Sequence, residues 1–248
     1  TPCMRVISWN MKNKKSNWTF LTGLSPDIAL IQEAYNLNNT PKNSHINDHT
    51  HKLKVKNKVN NFIYSPRNES ERISFPEEFN NNFICVKTTN KKEIFLLSIY
   101  GNLHWHKAPE SGEELEKWFT IFAGQLAIIM TCLKNQHNAR NIIIAGDFNC
   151  ERRMDDNPTS TTFMKNGERI NSLLFDFILG MGFKNCVRKF NPKPQRTYKH
   201  NKSSYGWELD HMFCTAELYD SLENIEVLDS VVQTGLSDHN PIIANFSI

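Results

Sequence analysis

Several apolar runs in this chain end at a side chain that can hold a metal or move a proton. Ile142-Ile143-Ile144-Ala145 leads into Gly146-Asp147-Phe148-Asn149, and Ser237-Asp238-His239-Asn240-Pro241 leads into Ile242-Ile243-Ala244. Arg5-Val6-Ile7-Ser8-Trp9 stops at Asn10, and Ile28-Ala29-Leu30-Ile31-Gln32 stops at Glu33. Short runs of this kind, rich in β-branched residues and closed by turn formers, read as buried strands. A chain built from them must fold in sheet layers, and its strand ends are where polar groups reach a cleft.

The remaining pattern agrees. Trp18 to Leu24 reads as a short helix, broken by Ser25-Pro26-Asp27. Residues 34 to 61 are polar, Asn-rich and without a period, so they read as loop. Phe62-Ile63-Tyr64, Phe83 to Lys87 and Ile94 to Tyr100 read as strands, with a hairpin turn at Thr89-Asn90-Lys91-Lys92. Glu113 to Asn135 is the clearest helix. Leu115, Trp118, Phe119, Phe122, Leu126, Ile129 and Leu133 recur at three and four, and Ser111 with Glu114 forms a capping box. A second helix spans Gly167 to Leu179, and strands at Glu208 to Cys214, Glu226 to Val232 and Ile242 to Ile248 close the chain. The expected fold is two packed sheets with helices outside, in one domain covering residues 1 to 248.

Composition narrows the setting. With 248 residues and a formal net charge of +3, overall charge argues only weakly for a polyanionic partner. Its distribution says more. Between Lys184 and Lys202 lie Arg188, Lys189, Lys193, Arg196 and Lys199 with no acid, and Phe190 and Tyr198 are interleaved. Basic groups alternating with aromatics suit a phosphate backbone and its bases. Lys52, Lys54, Lys56 and Lys58 form a second basic run, which reads more simply as a solvated face. No run approaches the length of a membrane span. The six cysteines show no CxxC spacing, which argues against a zinc cluster. Cys85, Cys132 and Cys214 read as small buried hydrophobes, and a reducing, cytoplasmic setting is expected. Thr1-Pro2-Cys3-Met4-Arg5 lacks the apolar core of a signal peptide, although trimming upstream leaves export open.

Taken singly, Asn10 reads as a turn residue, Glu33 as a surface acid and His239 as a structural histidine. Their recurrence at strand ends, with Asp147, Asn149, Asp210 and Asp238, points to one site. Hard oxygen donors suit Mg²⁺, with Mn²⁺ or Ca²⁺ as substitutes, rather than zinc.

The motifs then carry a specific likeness. Ser8-Trp9-Asn10, Ile31-Gln32-Glu33, Ser98-Ile99-Tyr100-Gly101-Asn102, Gly146-Asp147-Phe148-Asn149, Leu209-Asp210-His211 and Ser237-Asp238-His239-Asn240-Pro241 occur in that order over nearly the whole chain. In this the chain resembles the endonuclease/exonuclease/phosphatase superfamily, with its deoxyribonuclease I-like fold. The resemblance implies a four-layer α/β/β/α sandwich of two mixed sheets flanked by helices. It also implies roles: Glu33 as principal metal ligand with Asn10 and Asp238 in support, and Asp147 acting on the attacking water. Asn149, Tyr100 and Asn102 would contact the phosphate, His239 would stabilise its charge, and Asp210 would orient His239. His104 is a further candidate whose register the likeness does not fix.

The superfamily includes nucleases, phosphoinositide phosphatases and sphingomyelinases, so the likeness leaves the substrate open. Arg188, Lys189, Arg196, Tyr198 and Lys199, just before Asp210, favour nucleic acid, with DNA ahead of RNA. Thr197-Tyr198 resembles the Thr-Tyr or Thr-Trp before this aspartate in nucleolytic relatives. Trp207 resembles the tryptophan of inositol phosphatases, but its spacing is off by one and His211 stands where that group has arginine. The alternatives are therefore a phosphatase or lipid phosphodiesterase of the same fold, and a non-catalytic nucleic-acid-binding module. A monomer is expected.

Overall fold

A computed structural model describes residues 3–35, 44–47, 61–76, 79, 82–89, 92–101, 112–160, 166–200 and 205–248. Two six-stranded sheets form its centre. The first holds β1 (Cys3–Asn10), β2 (Ile28–Gln32), β3 (Ser44–Asn47), β4 (Asn61–Tyr64), β11 (Leu222–Val227) and β12 (Ile242–Ser247), in the order β11-β12-β1-β2-β4-β3. The second holds β5 (Ser70–Ile73), β6 (Phe83–Thr88), β7 (Ile94–Tyr100), β8 (Ile142–Asp147), β9 (Lys184–Asn185) and β10 (Asp210–Cys214), in the order β5-β6-β7-β8-β10-β9. The helices are α1 (Asn17–Gly23), α2 (Gly112–Gln136), α3 (Ile170–Gly180), α4 (Cys186–Phe190), α5 (Ala216–Ser221) and α6 (Ser230–Gln233), with a 3₁₀ turn at Arg152–Asp156.

The layering follows from strand periodicity. Successive side chains of a strand face opposite ways, so a strand buried on both faces feeds two cores. Val6, Ile28, Leu30, Ile143, Ala145 and Met212 pack into the core between the sheets. Their neighbours Ile7, Trp9, Ala29 and Ile31 turn outward onto Trp18 and Leu21 of α1. Ile142, Ile144 and Phe213 turn the other way, onto Phe119, Phe122, Leu126 and Ile129 of α2 and Leu174 and Ile178 of α3. The result is the expected four-layer sandwich.

Register brings the polar strand ends together. β1 and β2 are parallel with Asn10 opposite Gln32. β7 and β8 are parallel with Tyr100 opposite Asp147, and β10 runs antiparallel to β8 with Asp210 opposite Asp147. A buried polar link joins the sheets beneath this edge: the Gln32 amide donates to Ser98 Oγ (3.0 Å), and Ser98 donates to Asn61 Oδ1 (2.6 Å). Such a link is costly unless satisfied, and it resists sliding of one sheet over the other.

Several sequence expectations need correction. The stretch read as loop includes β3, whose partner is the hydrophobic β4; the polar sequence concealed an edge strand. β5 went unread for the same reason. Strand β11 starts and ends earlier than expected, and Val231 and Val232 lie in α6. Cys132 is only half-buried and donates to Gln136 Oε1 (3.1 Å). The capping residue Ser111 and the basic run from Lys52 to Lys58 lie outside the described residues. No helix among the described residues is long and apolar enough to cross a membrane.

Helix α3 starts at Ile170 rather than Gly167 because its cap comes from elsewhere. The buried Asp155 carboxylate accepts from the Asn171 and Ser172 backbone N–H groups (3.0 and 2.8 Å), the Asn171 amide (2.8 Å) and the Ser172 hydroxyl (2.6 Å). It thus satisfies two otherwise orphaned helix donors and complements the helix dipole. Asp155→Ala is expected to cost about 2–3 kcal/mol. Calorimetry should show a fall in Tm of roughly 5–10 °C.

Candidate active site

At the shared edge of the sheets lies a cleft of ≈ 630 Å³ whose lining includes Lys12, Glu33, Asp147, Asn149, Asp238 and His239. Asp147 ends β8, and its fixed geometry comes from its neighbours. Its carbonyl accepts from Gly101 N–H (2.7 Å), and its Oδ1 accepts from Asn149 N–H (2.9 Å). The latter bond holds Asn149 at φ 53, and Glu33 sits at φ 47. Positive φ is uncommon for a glutamate, and such strained backbone concentrates at functional sites. Glu33 is held there by its carbonyl, which accepts from Asn13 N–H (2.7 Å).

His239 is gripped from several sides. Its Nδ1 bonds Asp210 Oδ2 (2.8 Å), while its Nε2 faces Asp147 Oδ2 at 3.8 Å. The latter separation exceeds a hydrogen bond, so a third partner can bond both groups. Its carbonyl accepts from Trp9 Nε1 (2.9 Å), and its N–H donates to Ser237 Oγ (3.1 Å), which donates to the Asn10 carbonyl (2.8 Å). Thr197 Oγ1 accepts from Asp210 N–H (2.9 Å). Trp9, Thr197 and Ser237 were visible as motif letters, but their supporting work was not.

Electrostatics assign proton states. Burial pushes Asp147 up to about 7; Asp210 adds to the rise, while His239, the Asn10 amide and Asn149 N–H oppose it. Burial alone would lower His239, but Asp210, Asp147 and Asp238 outweigh it and hold the ring at about 10. The imidazolium therefore persists at neutral pH beside a carboxyl near its midpoint. Burial, then Glu33 and Asp147, raise the Tyr100 hydroxyl far above its ordinary value, so it stays a donor; it donates to Glu33 Oε1 (2.9 Å).

The residues expected to hold a metal arrange themselves unequally. Asn10 Nδ2 donates to both Glu33 Oε1 (3.1 Å) and Asp147 Oδ2 (3.0 Å), and its oxygen accepts from Lys12 N–H (3.0 Å). Asn10 thus turns a donor, not an oxygen, toward the acids. Asp238 Oδ2 pairs with Lys12 Nζ at 2.6 Å. Lys12 carried no sequence expectation; its place two residues after Asn10 was the available signal. Separately, one donor atom each from Asp147, Asp210 and His239 lie within 4.8 Å of one another, close enough to hold an ion.

The basic segment divides. Tyr198 lies tilted against His239 with ring centroids 4.8 Å apart, and Lys199 N–H donates to the Asp238 carbonyl (2.9 Å). Arg196 lies near Asp229 (3.7 Å). Arg188 ion-pairs with the buried Glu208 at a second cavity, and Lys189 Nζ donates to the Leu222 carbonyl (2.9 Å). The Arg188 charge is paired within the protein, and the Lys189 ammonium is turned onto backbone carbonyls. Tyr205 and Trp207 also line the cleft, with Arg153 stacked over both rings. Asn102 and His104 lie outside the described residues.

Neither protein-family models nor curated protein sequences give a match to the chain. Solved structures do. An AP endonuclease from Leishmania major superposes with a TM-score of 0.75 at 16% identity, over 99% of this chain and 88% of that one. An AP endonuclease from Archaeoglobus fulgidus gives 0.71 at 18%, over 99% and 100%. A 3′ phosphatase from Neisseria, bound to a product DNA hairpin, gives 0.71 at 16%, again over 99% and 100%. At these identities the likeness carries the fold alone: the chain has the deoxyribonuclease I-like fold, two packed sheets flanked by helices.

Proposed function

We propose that this protein is a divalent-metal-dependent phosphodiesterase that hydrolyses nucleic-acid backbones, with DNA as the preferred substrate. One observation carries the reading: Asp210, His239, Asp147 and Glu33, drawn from four separate strand ends, converge on one cleft. Support for DNA comes from the aromatic wall of Tyr198, Tyr205 and Trp207, which suits stacked bases. The structural relatives, which include two AP endonucleases and a DNA-bound phosphatase, point the same way.

The donor set fits a hard cation. Glu33 Oε1 and Asp147 Oδ2 both lie within hydrogen-bond reach of one Asn10 amide, so two carboxylates face a common space. Glu33 would be the principal ligand for Mg²⁺, or for Mn²⁺ or Ca²⁺ in its place. When bound, the ion supplies positive charge to phosphoryl oxygens. The Asp147-Asp210-His239 cluster is better used as a proton and charge relay, because Asp210 already occupies His239 Nδ1.

The chain's own groups follow from their proton states. Ionised Asp147 orients the attacking water and accepts its proton as the new P–O bond forms and the P–O bond to the leaving sugar oxygen breaks, that oxygen taking a proton from solvent. The His239 imidazolium donates through Nε2 to a phosphoryl oxygen as negative charge builds there. Asp210 fixes the ring and sustains its charge, and Tyr100 and Asn10 orient Glu33. Asn149 lines the phosphate side of the cleft.

The test is a substrate panel of supercoiled plasmid, abasic DNA, RNA, an inositol phosphate and sphingomyelin in Mg²⁺, Mn²⁺ or EDTA. DNA cleavage that EDTA abolishes is expected. Hydrolysis of inositol phosphate or sphingomyelin with DNA intact would replace this reading with the phosphatase or lipid one. DNA binding without cleavage in any metal would leave a binding module.

A further inference from the structure

The cleft already contains a fixed cation. Lys12 Nζ sits 2.6 Å from Asp238 Oδ2, and its side chain is 40% exposed against 16% for that of Asp238. Both backbones that carry the pair are tied down. Lys12 adopts φ 50, and its N–H is anchored on Asn10 Oδ1 at 3.0 Å. The Asp238 carbonyl accepts from Lys199 N–H at 2.9 Å. The ion pair therefore bridges the turn after β1 to the turn before β12, directly ahead of His239.

Charge counting gives the pair a consequence. The cleft gathers four acids: Glu33, Asp147, Asp210 and Asp238. Lys12 is paired with Asp238, and His239 lies against Asp210 and Asp147, which leaves Glu33 as the acid with no basic side chain against it among the described residues. An ion on Asp238 would have to displace Lys12 or sit beside its ammonium, and like charges at such range repel strongly.

Resting on the metal reading above, we propose that Lys12 is a positioning residue that reserves Asp238. It keeps that carboxylate out of the metal's ligand set, confines a single divalent ion to Glu33, and holds Asp238 as a brace for His239. Glu33 retains the capacity for this role: its Oε1 bonds Asn10 and Tyr100, while Oε2 has no hydrogen-bond partner among the described residues.

The experiment measures Mn²⁺ binding by calorimetry and electron paramagnetic resonance, with thermal melts to check folding. Wild type should bind one ion per chain. Asp238→Asn should leave Kd within about threefold, whereas Lys12→Met should tighten binding by about tenfold by exposing a free carboxylate. In the Lys12→Met background, Asp238→Asn should cancel that gain. Two ions per wild-type chain, or a tenfold loss from Asp238→Asn with Lys12 present, would overturn the proposal while leaving Glu33 as a ligand. Glu33→Gln separates the underlying reading: binding lost by tenfold or more supports it, and unchanged binding removes both.

Discussion

Asp147→Asn is expected to lower turnover by about 10²- to 10³-fold, the typical cost of removing one preorganised catalytic group, while the protein melts no lower than wild type. The two halves of this result have one cause. Burial works against the ionised form of Asp147. An isosteric amide removes that penalty and keeps one acceptor, for Asn10; it gives up the other, which serves Asn149 N–H, and the relief of burying a charge outweighs that single bond. Wild type carries the penalty because water activation needs the ionised form. Steady-state kinetics beside a melting curve at pH 8 checks both halves. A variant with near-normal turnover would remove Asp147 from the mechanism.

The pH dependence sharpens the same expectation. In the metal-free protein Asp147 rises from 3.8 to about 7, and His239 from 6.5 to about 10. In both cases the folded state binds protons that the unfolded state has released, so stability falls as pH rises. The His239 contribution is complete below 6.5 and is lost as pH climbs through about 10. The Asp147 contribution is complete below 3.8 and is lost through about 7. Asp147→Asn should erase the lower window and shift the upper one downward, because the Asp147 charge helps to raise His239. Activity has the complementary requirement of ionised Asp147 and protonated His239. The rate should therefore be bell-shaped, with an acid limb that a bound cation draws lower.

The ease of finding these residues in the sequence has a physical basis. Asp147, Glu33 and His239 each adjoin a run that can only be a buried strand, and strand ends in a layered sheet meet at an edge. That logic brings side chains near one another but does not orient them. Whether Asn10 offers an oxygen or an amide depends on Lys12 N–H, a contact set by the turn's left-handed backbone. Arg188 and Lys189 were counted as available positive charges. Glu208 and the Leu222 carbonyl take them up, 20 and 33 residues away in sequence, and no local pattern announces such partners. Polar edge strands such as β3 escaped for a related reason. Their order comes from a neighbour's backbone hydrogen bonds, not from their own apolar content.

Gly146→Ala should be the most damaging small substitution in the chain. Gly146 adopts φ 153 in the middle of the buried β7–β8–β10 ladder. A Cβ there would lie 1.8 Å from the Ile99 carbonyl oxygen, 2.7 Å from its carbon and 2.9 Å from its nitrogen. All three are backbone atoms of the paired strand, so no side-chain rotation relieves the clash. β7 and β8 would have to separate where Tyr100 opposes Asp147, which breaks the ladder and misplaces the catalytic carboxylate together. A cost of about 4 kcal/mol or more is expected, among the largest for single substitutions. Against a total stability of roughly 5–15 kcal/mol, that leaves little folded protein at moderate temperature. Gly124→Ala is the matched control. It lies within α2, where an added Cβ meets nothing within 4 Å, so the lower entropy of the unfolded chain should stabilise it by about 0.4–1 kcal/mol. Thermal melts of the two variants should move in opposite directions; a Gly146→Ala protein that melts with wild type would mean that β7 and β8 are not packed as close neighbours at the site.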